Sequence, residues 1–141
     1  MTEQFILDGR LADDTYLLED LPLTKVLLSK DANYPWFILV PRIAGVTELI
    51  DLSDAQQQQL LLESNAVSHF IRDYFAAEKL NVAALGNVVA QLHVHHIGRF
   101  ASDPAWPAPI WNAVPATRYT EQKVIAITQA FKAYIKKRSD L

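Results

Sequence analysis

Three of the chain's four histidines, His93, His95 and His96, fall within four positions of the segment NVVAQLHVHHIGRF, residues 87–100, and Arg99 follows closely. An imidazole with an ordinary pKa of about 6.5 keeps a nucleophilic nitrogen available near neutral pH, and the same nitrogen can bind a metal. Side chains alternate along an extended segment, so Gln91, His93 and His95 share one side while Leu92, Val94 and His96 share the other. The alpha carbons of His93 and His95 then stand about 6.7 Å apart, so both rings can reach one phosphoryl group or one metal ion.

Three chemistries compete for these rings. Packing suits His69, single in a predicted helix, and His96, which faces the Leu92 and Val94 side. A zinc site needs at least three protein ligands, of which His93 and His95 supply two. Nothing in the spacing recommends Asp31, Asp103 or His69 as the third, so no metal is expected. Phosphoryl transfer asks for a neutral imidazole and for groups that stabilise phosphate charge. Gly86, in the turn before the histidines, lets backbone N–H groups approach an anion with no side chain in the way.

The surrounding elements must hold these groups. TKVLLSK and WFILVPR read as two adjacent strands separated by the turn formers of DANYP. Before them, FILDGRLADDTYLLED is expected to supply one or two short strands. Ser53 stands three residues before Gln56, a capping box that starts a helix, and Leu60, Val67, Phe70, Ile71 and Tyr74 recur on one face of it. LNVAAL reads as a strand, GN as a turn and QLHVHHI as a strand. Residues 101–116, rich in proline and tryptophan, predict an ordered loop. Val124, Ile127, Phe131 and Tyr134 predict a second helix over residues 120–138, with a basic last turn that complements its dipole. Together these predict an α+β domain spanning 1–141, with a mainly antiparallel sheet and helices on one face.

Composition narrows the classes of function. With 141 residues, half of them hydrophobic, and 13 basic against 16 acidic side chains, one core is expected and no nucleic-acid tract is. The absence of cysteine excludes disulfides and thiolate metal sites, and fits a cytoplasmic location. No apolar run reaches the roughly 18 residues that span a bilayer, so no membrane partner is expected.

QLHVHHI resembles the histidine-triad (HIT) motif, His-φ-His-φ-His-φ-φ with φ hydrophobic. The order of WFILVPR, a long helix, LNVAALGN and the histidine strand is similar to the same family over residues 15–100. DPAWPAPIW looks like the continuation in a bacterial branch of HIT-like proteins. The resemblance implies a homodimer that needs no cofactor, binds a nucleotide or nucleotide-like phosphate ester and cleaves at the α-phosphate through a covalent nucleotidyl-histidine. It makes His93 the nucleophile and His95 the contact to phosphate or leaving group. Gln91 acts through its backbone carbonyl, which orients the nucleophile's other nitrogen. Gly86, Asn87 and Val88 match the phosphate loop, Asn81 a polar contact, and Asp31 lies near the ribose contact. Two departures, Gln91 for the first triad histidine and Val88 for a hydroxyl residue, keep open the alternative of a binding protein without turnover. Beyond the motif, Arg99 is expected against a distal phosphate or an acidic neighbour. Trp106 and Trp111 are expected to stack on a base or pack, and Lys30 and Arg42 to be solvated.

Overall fold

The computed structural model describes residues 3–141. Five strands form one sheet: β1 (Thr15–Asp20), β2 (Thr24–Ser29), β3 (Trp36–Pro41), β4 (Lys79–Ala84) and β5 (Val94–Arg99). Their order is β1-β2-β3-β5-β4, and every neighbouring pair is antiparallel. This is the expected α+β architecture. The helices are α1 (Gly9–Asp13), α2 (Asp54–Phe75) and α3 (Glu121–Lys136), with a short 3-10 turn over Leu49–Asp51.

One face of the sheet carries the larger core. α2 starts at Ser53, whose hydroxyl accepts from the Gln56 N–H while the Gln56 side chain accepts from the Ser53 N–H. Its apolar stripe Leu60, Val67, Phe70 and Ile71 is buried against Phe37 and Leu39 of β3, whereas Tyr74 stays partly in solvent and stacks on Phe70. α3 adds Ile127 and Phe131, fully buried, each worth about 1.5–3 kcal/mol of apolar transfer. Gly98 lets α2 lie close on β5, since a Cβ there would stand 2.8 Å from Ile71 Cγ2. Glu63 sets the helix along its axis. Its carboxylate, buried in the core, accepts from the N–H groups of Leu23 and Thr24, the Thr24 hydroxyl and the Gln59 amide.

The opposite face departs from the expectation of helices on one side only. α1 covers it there: Leu11 packs with Leu27, Ile38 and Val40. The segment expected to hold one or two strands thus splits into this helix and β1, because Asp8 caps Arg10 and starts a helical turn. Residues 101–116 cover the rest as a loop. Its Ala105 and Ile110 cluster with Tyr34 and Ile97, and the chain just after it is tied to the β2–β3 turn through Ala32 N–H to the Thr117 carbonyl at 2.9 Å.

Candidate active site

β3 and β5 pair so that Ile38 lies opposite His95, which places His95 on the α1 face of the sheet and His96, opposite Phe37, on the α2 face. The strand begins only at Val94. His93 therefore ends the preceding loop, yet it stays beside His95, with ring centroids 4.9 Å apart at 74°. The expected pair on one side is present.

In each ring the hydrogen bond at Nδ1 fixes the tautomer. Nδ1 of His93 lies 2.7 Å from the Gln91 carbonyl, and a carbonyl only accepts, so Nδ1 carries the hydrogen and Nε2 keeps its lone pair. Nδ1 of His95 takes the opposite part. It accepts from the Trp36 indole N–H at 3.0 Å, so the neutral ring carries its hydrogen on Nε2. Burial pushes the His95 pKa down to about 4, helped by the neighbouring His93 and opposed by the Leu85 carbonyl. Trp111 closes the cluster, 4.8 Å from the His95 ring and 5.8 Å from Trp36.

Two clefts meet at His93. One, of about 300 Å³, is lined by Gly86, Asn87, Ala90 and Gln91 with Thr47 and Glu48 across from them. The other, of about 280 Å³, runs from His93 and His95 past Trp36, Ile38 and Val88 to Ser29 and Arg10. Both histidines are buried residues, at 6% exposure, but both face open space. Gly86 stands against the His93 ring so closely that a Cβ would be 2.6 Å from the Val89 carbonyl oxygen and 3.4 Å from His93 Cε1. A side chain at that position would have to displace the loop or the ring. Val88 is 79% exposed beside the histidine cleft and offers it no hydroxyl.

Gln91 divides its groups. The carbonyl holds His93, while the side-chain amide reaches the N-terminal segment, accepting from Asp8 N–H and donating to the Ile6 carbonyl, both at 2.8 Å.

The structure brings Gly86, Asn87, Val88, Gln91, His93 and His95 together, and leaves Asp31, Asn81 and Arg99 out of both clefts. Arg99, 1% exposed, spends its donors on Asp103 at 2.8 and 3.1 Å, on Asn81 Oδ1 at 2.7 Å and on the Ala108 carbonyl at 2.8 Å. Asp31 shapes its own turn, accepting from the N–H groups of Asn33 and Thr117. Trp106 lies over the Arg99 guanidinium, away from the histidines. Arg42 is not simply solvated; it donates to the carbonyls of Leu21, Pro22 and Thr24. Lys30 sits over the Tyr16 ring.

His96 is accounted for by packing. Its Nδ1 donates to the Val94 carbonyl at 3.0 Å, its Nε2 accepts from the Ser64 hydroxyl at 2.7 Å, and burial pushes its pKa to about 4. His69 is exposed on α2. Among the described residues, no group of three His, Asp or Glu side chains could hold a metal ion, and no helix is long and apolar enough to cross a membrane.

Reasoning from sequence missed Trp36 and Arg10. Trp36 lay in a recognised strand, but its reach to His95 depends on a register that local pattern does not reveal.

No curated protein of known function matches the chain. Solved structures do. A histidine triad protein from Bradyrhizobium japonicum is 44% identical with a TM-score of 0.92, over 94% of this chain and 99% of that one. One from Marinobacter aquaeolei is also 44% identical at a TM-score of 0.92, over 96% and 98%. A third, from Sinorhizobium meliloti, is 37% identical at 0.89, over 92% and 96%. The HIT domain model matches residues 11–102, a span that holds the sheet, α2 and the histidine pair. On the strength of that match and of these full-length likenesses, the chain belongs to the HIT domain family.

Proposed function

We propose that the protein hydrolyses or transfers a nucleotidyl group, with His93 attacking the α-phosphate of a nucleotide-like ester, amide or anhydride. The observation that carries this reading is the opposed wiring of the two imidazoles: His93 Nε2 keeps a lone pair while His95 Nε2 bears a hydrogen, at a ring separation of 4.9 Å. His93 Nε2 forms a bond to phosphorus and the bond to the leaving group breaks. With a pKa near 4, His95 is neutral at physiological pH, so it polarises the leaving atom by hydrogen bonding, and the proton that atom gains comes from solvent. Water then cleaves the phosphorus–nitrogen bond, its hydroxyl going to phosphorus and its proton to solvent. The loop at Gly86, Asn87 and Val88 offers backbone N–H groups to the phosphate, and the cleft from Trp36 to Ser29 receives the nucleoside.

The test is a panel of nucleoside phosphoramidates, dinucleoside polyphosphates and nucleotide sugars given to the parent and to His93→Ala. Release of a nucleoside monophosphate with multiple turnovers, absent in His93→Ala, together with a nucleotidyl adduct on His93, is the expected result. Equal turnover by the two proteins would end the proposal.

A second reading, binding without turnover, is favoured by one observation: Val88 brings no hydroxyl to the cleft. Saturable nucleotide binding with no product after long incubation would select it. The reading also includes a homodimer through the open edge of β4, where Val82 is 53% exposed. Light scattering that gives a monomer at micromolar concentration would remove that part.

A further inference from the structure

The Gln91 side chain bonds to backbone 83 and 85 residues away, Asp8 N–H and the Ile6 carbonyl. It does with one primary amide what a neighbouring strand would do with a peptide group, and it fastens residues 6–8 beside the histidine loop. Asp8, so fastened, accepts from the Arg10 N–H at 2.8 Å and lies 3.5 Å from Arg10 Nε. Arg10 in turn lines the cleft shared by His93, His95 and Val88.

Resting on the nucleotidyl reading above, we propose that Arg10 is a specificity-determining residue, delivered to the cleft by the Gln91 tie, and that it favours substrates with further phosphates beyond the α-phosphate.

Among the described residues, Arg10 is the one basic lysine or arginine side chain lining either cleft at His93. Its 59% exposed side chain pairs with Asp8 only at 3.5 Å and in contact with solvent, a weak ion pair that the guanidinium can exchange for an incoming anion. The other cleft residues are apolar, hydroxyl or imidazole groups, apart from Asp14. A substrate whose leaving group is an uncharged amine gives Arg10 little to hold. A dinucleoside triphosphate places two more phosphates there, and bidentate guanidinium–phosphate contact is strong. Gln91 thus serves twice: its carbonyl positions the nucleophile, and its side chain positions the segment that carries the cation.

The test compares KM for a dinucleoside triphosphate with KM for a nucleoside phosphoramidate in the parent, Arg10→Gln, Arg10→Lys and Gln91→Ala. Arg10→Gln is expected to raise the first KM about tenfold more than the second, as loss of one charge-assisted contact would. Gln91→Ala, which keeps its carbonyl, should shift the ratio the same way, and Arg10→Lys should restore most of it. Equal shifts for both substrates in Arg10→Gln, or a parental ratio in Gln91→Ala, would overturn the proposal while leaving the nucleotidyl reading intact. If the parent turns over neither substrate, that reading fails, and calorimetry with the same two compounds decides this one. A selective affinity loss for the triphosphate in Arg10→Gln then supports it, and equal affinities overturn it.

Discussion

The indole N–H of Trp36 donates to Nδ1 of His95 at 3.0 Å, so a strand residue with no ionisable group decides which face of the second imidazole bears the hydrogen. Trp111 packs against both rings and holds the donor in place. Replacing Trp36 by Phe keeps an aromatic body but leaves Nδ1 without its partner, a loss of about 1–3 kcal/mol for a buried acceptor. The expected outcome is a fall in kcat of about ten- to a hundredfold, with a smaller change in KM. Nitrogen chemical shifts of His95 should show hydrogen on Nε2 in the parent and a mixture in the variant. Parental kcat and shifts in Trp36→Phe would refute the assignment.

Gly86 makes a different demand. An added Cβ would meet the Val89 carbonyl oxygen at 2.6 Å, and backbone cannot yield there without moving the His93 ring 3.4 Å away. Gly86→Ala is therefore expected to lose about a hundredfold in kcat, as a shift of about 1 Å in a reacting group does. Its unfolding midpoint should stay near the parent's, because residues 84–88 are exposed and carry little of the core. Chemical denaturation beside steady-state kinetics checks both halves.

His95 and His96 make stability depend on pH. Each has its folded pKa lowered to about 4, chiefly by burial, against about 6.5 in an unfolded chain. Between those values the unfolded state holds more protons, about one for each ring. Stability is full above about pH 6.5 and falls as pH drops toward 4, with a slope of up to about 2.7 kcal/mol per pH unit. Urea midpoints measured from pH 7 to 4.5 test this. His96→Val, placed among Phe37, Val82 and Val94, should roughly halve the slope, and an unchanged slope would contradict the account.

The parts legible in the sequence are those written in short-range pattern. The α2 stripe and its Ser53–Gln56 cap, the β2 and β3 runs and the Gly86 turn before paired histidines are each contained in one continuous stretch of chain. The illegible parts depend on contacts between distant residues. Trp36 reaches His95 across 59 positions, Glu63 binds Thr24 across 39, and Gln91 meets Asp8 across 83. Gln91 shows the limit well. The use of its side chain is visible only with residues 6–8 folded beside it. FILDGRLADDTYLLED yields one strand, β1, and the helix α1 beside it is not legible because five residues have too few turns to show a period.

Arg99 decides between a structural and a substrate role for the end of β5. Its ion pair with Asp103 is buried on both sides, at 2% and 3% side-chain exposure, and Asn81 and the Ala108 carbonyl take its remaining reach. Burial by itself raises the Asp103 pKa, but hydrogen bonds from Arg99 and from the N–H groups of Phe100 and Ala105 overcome it and bring the value down to about 2. Removing one partner strands the other charge, so Asp103→Ala should destabilise the fold by about 3–5 kcal/mol. Arg99→Met with Asp103→Leu should cost less than either change alone, because no charge is left unpaired. The second readout is KM. A pair that only holds residues 101–108 against β5 predicts that the double variant, where folded, keeps its KM for a nucleotide substrate. A selective rise in that KM would place Arg99 on the substrate instead.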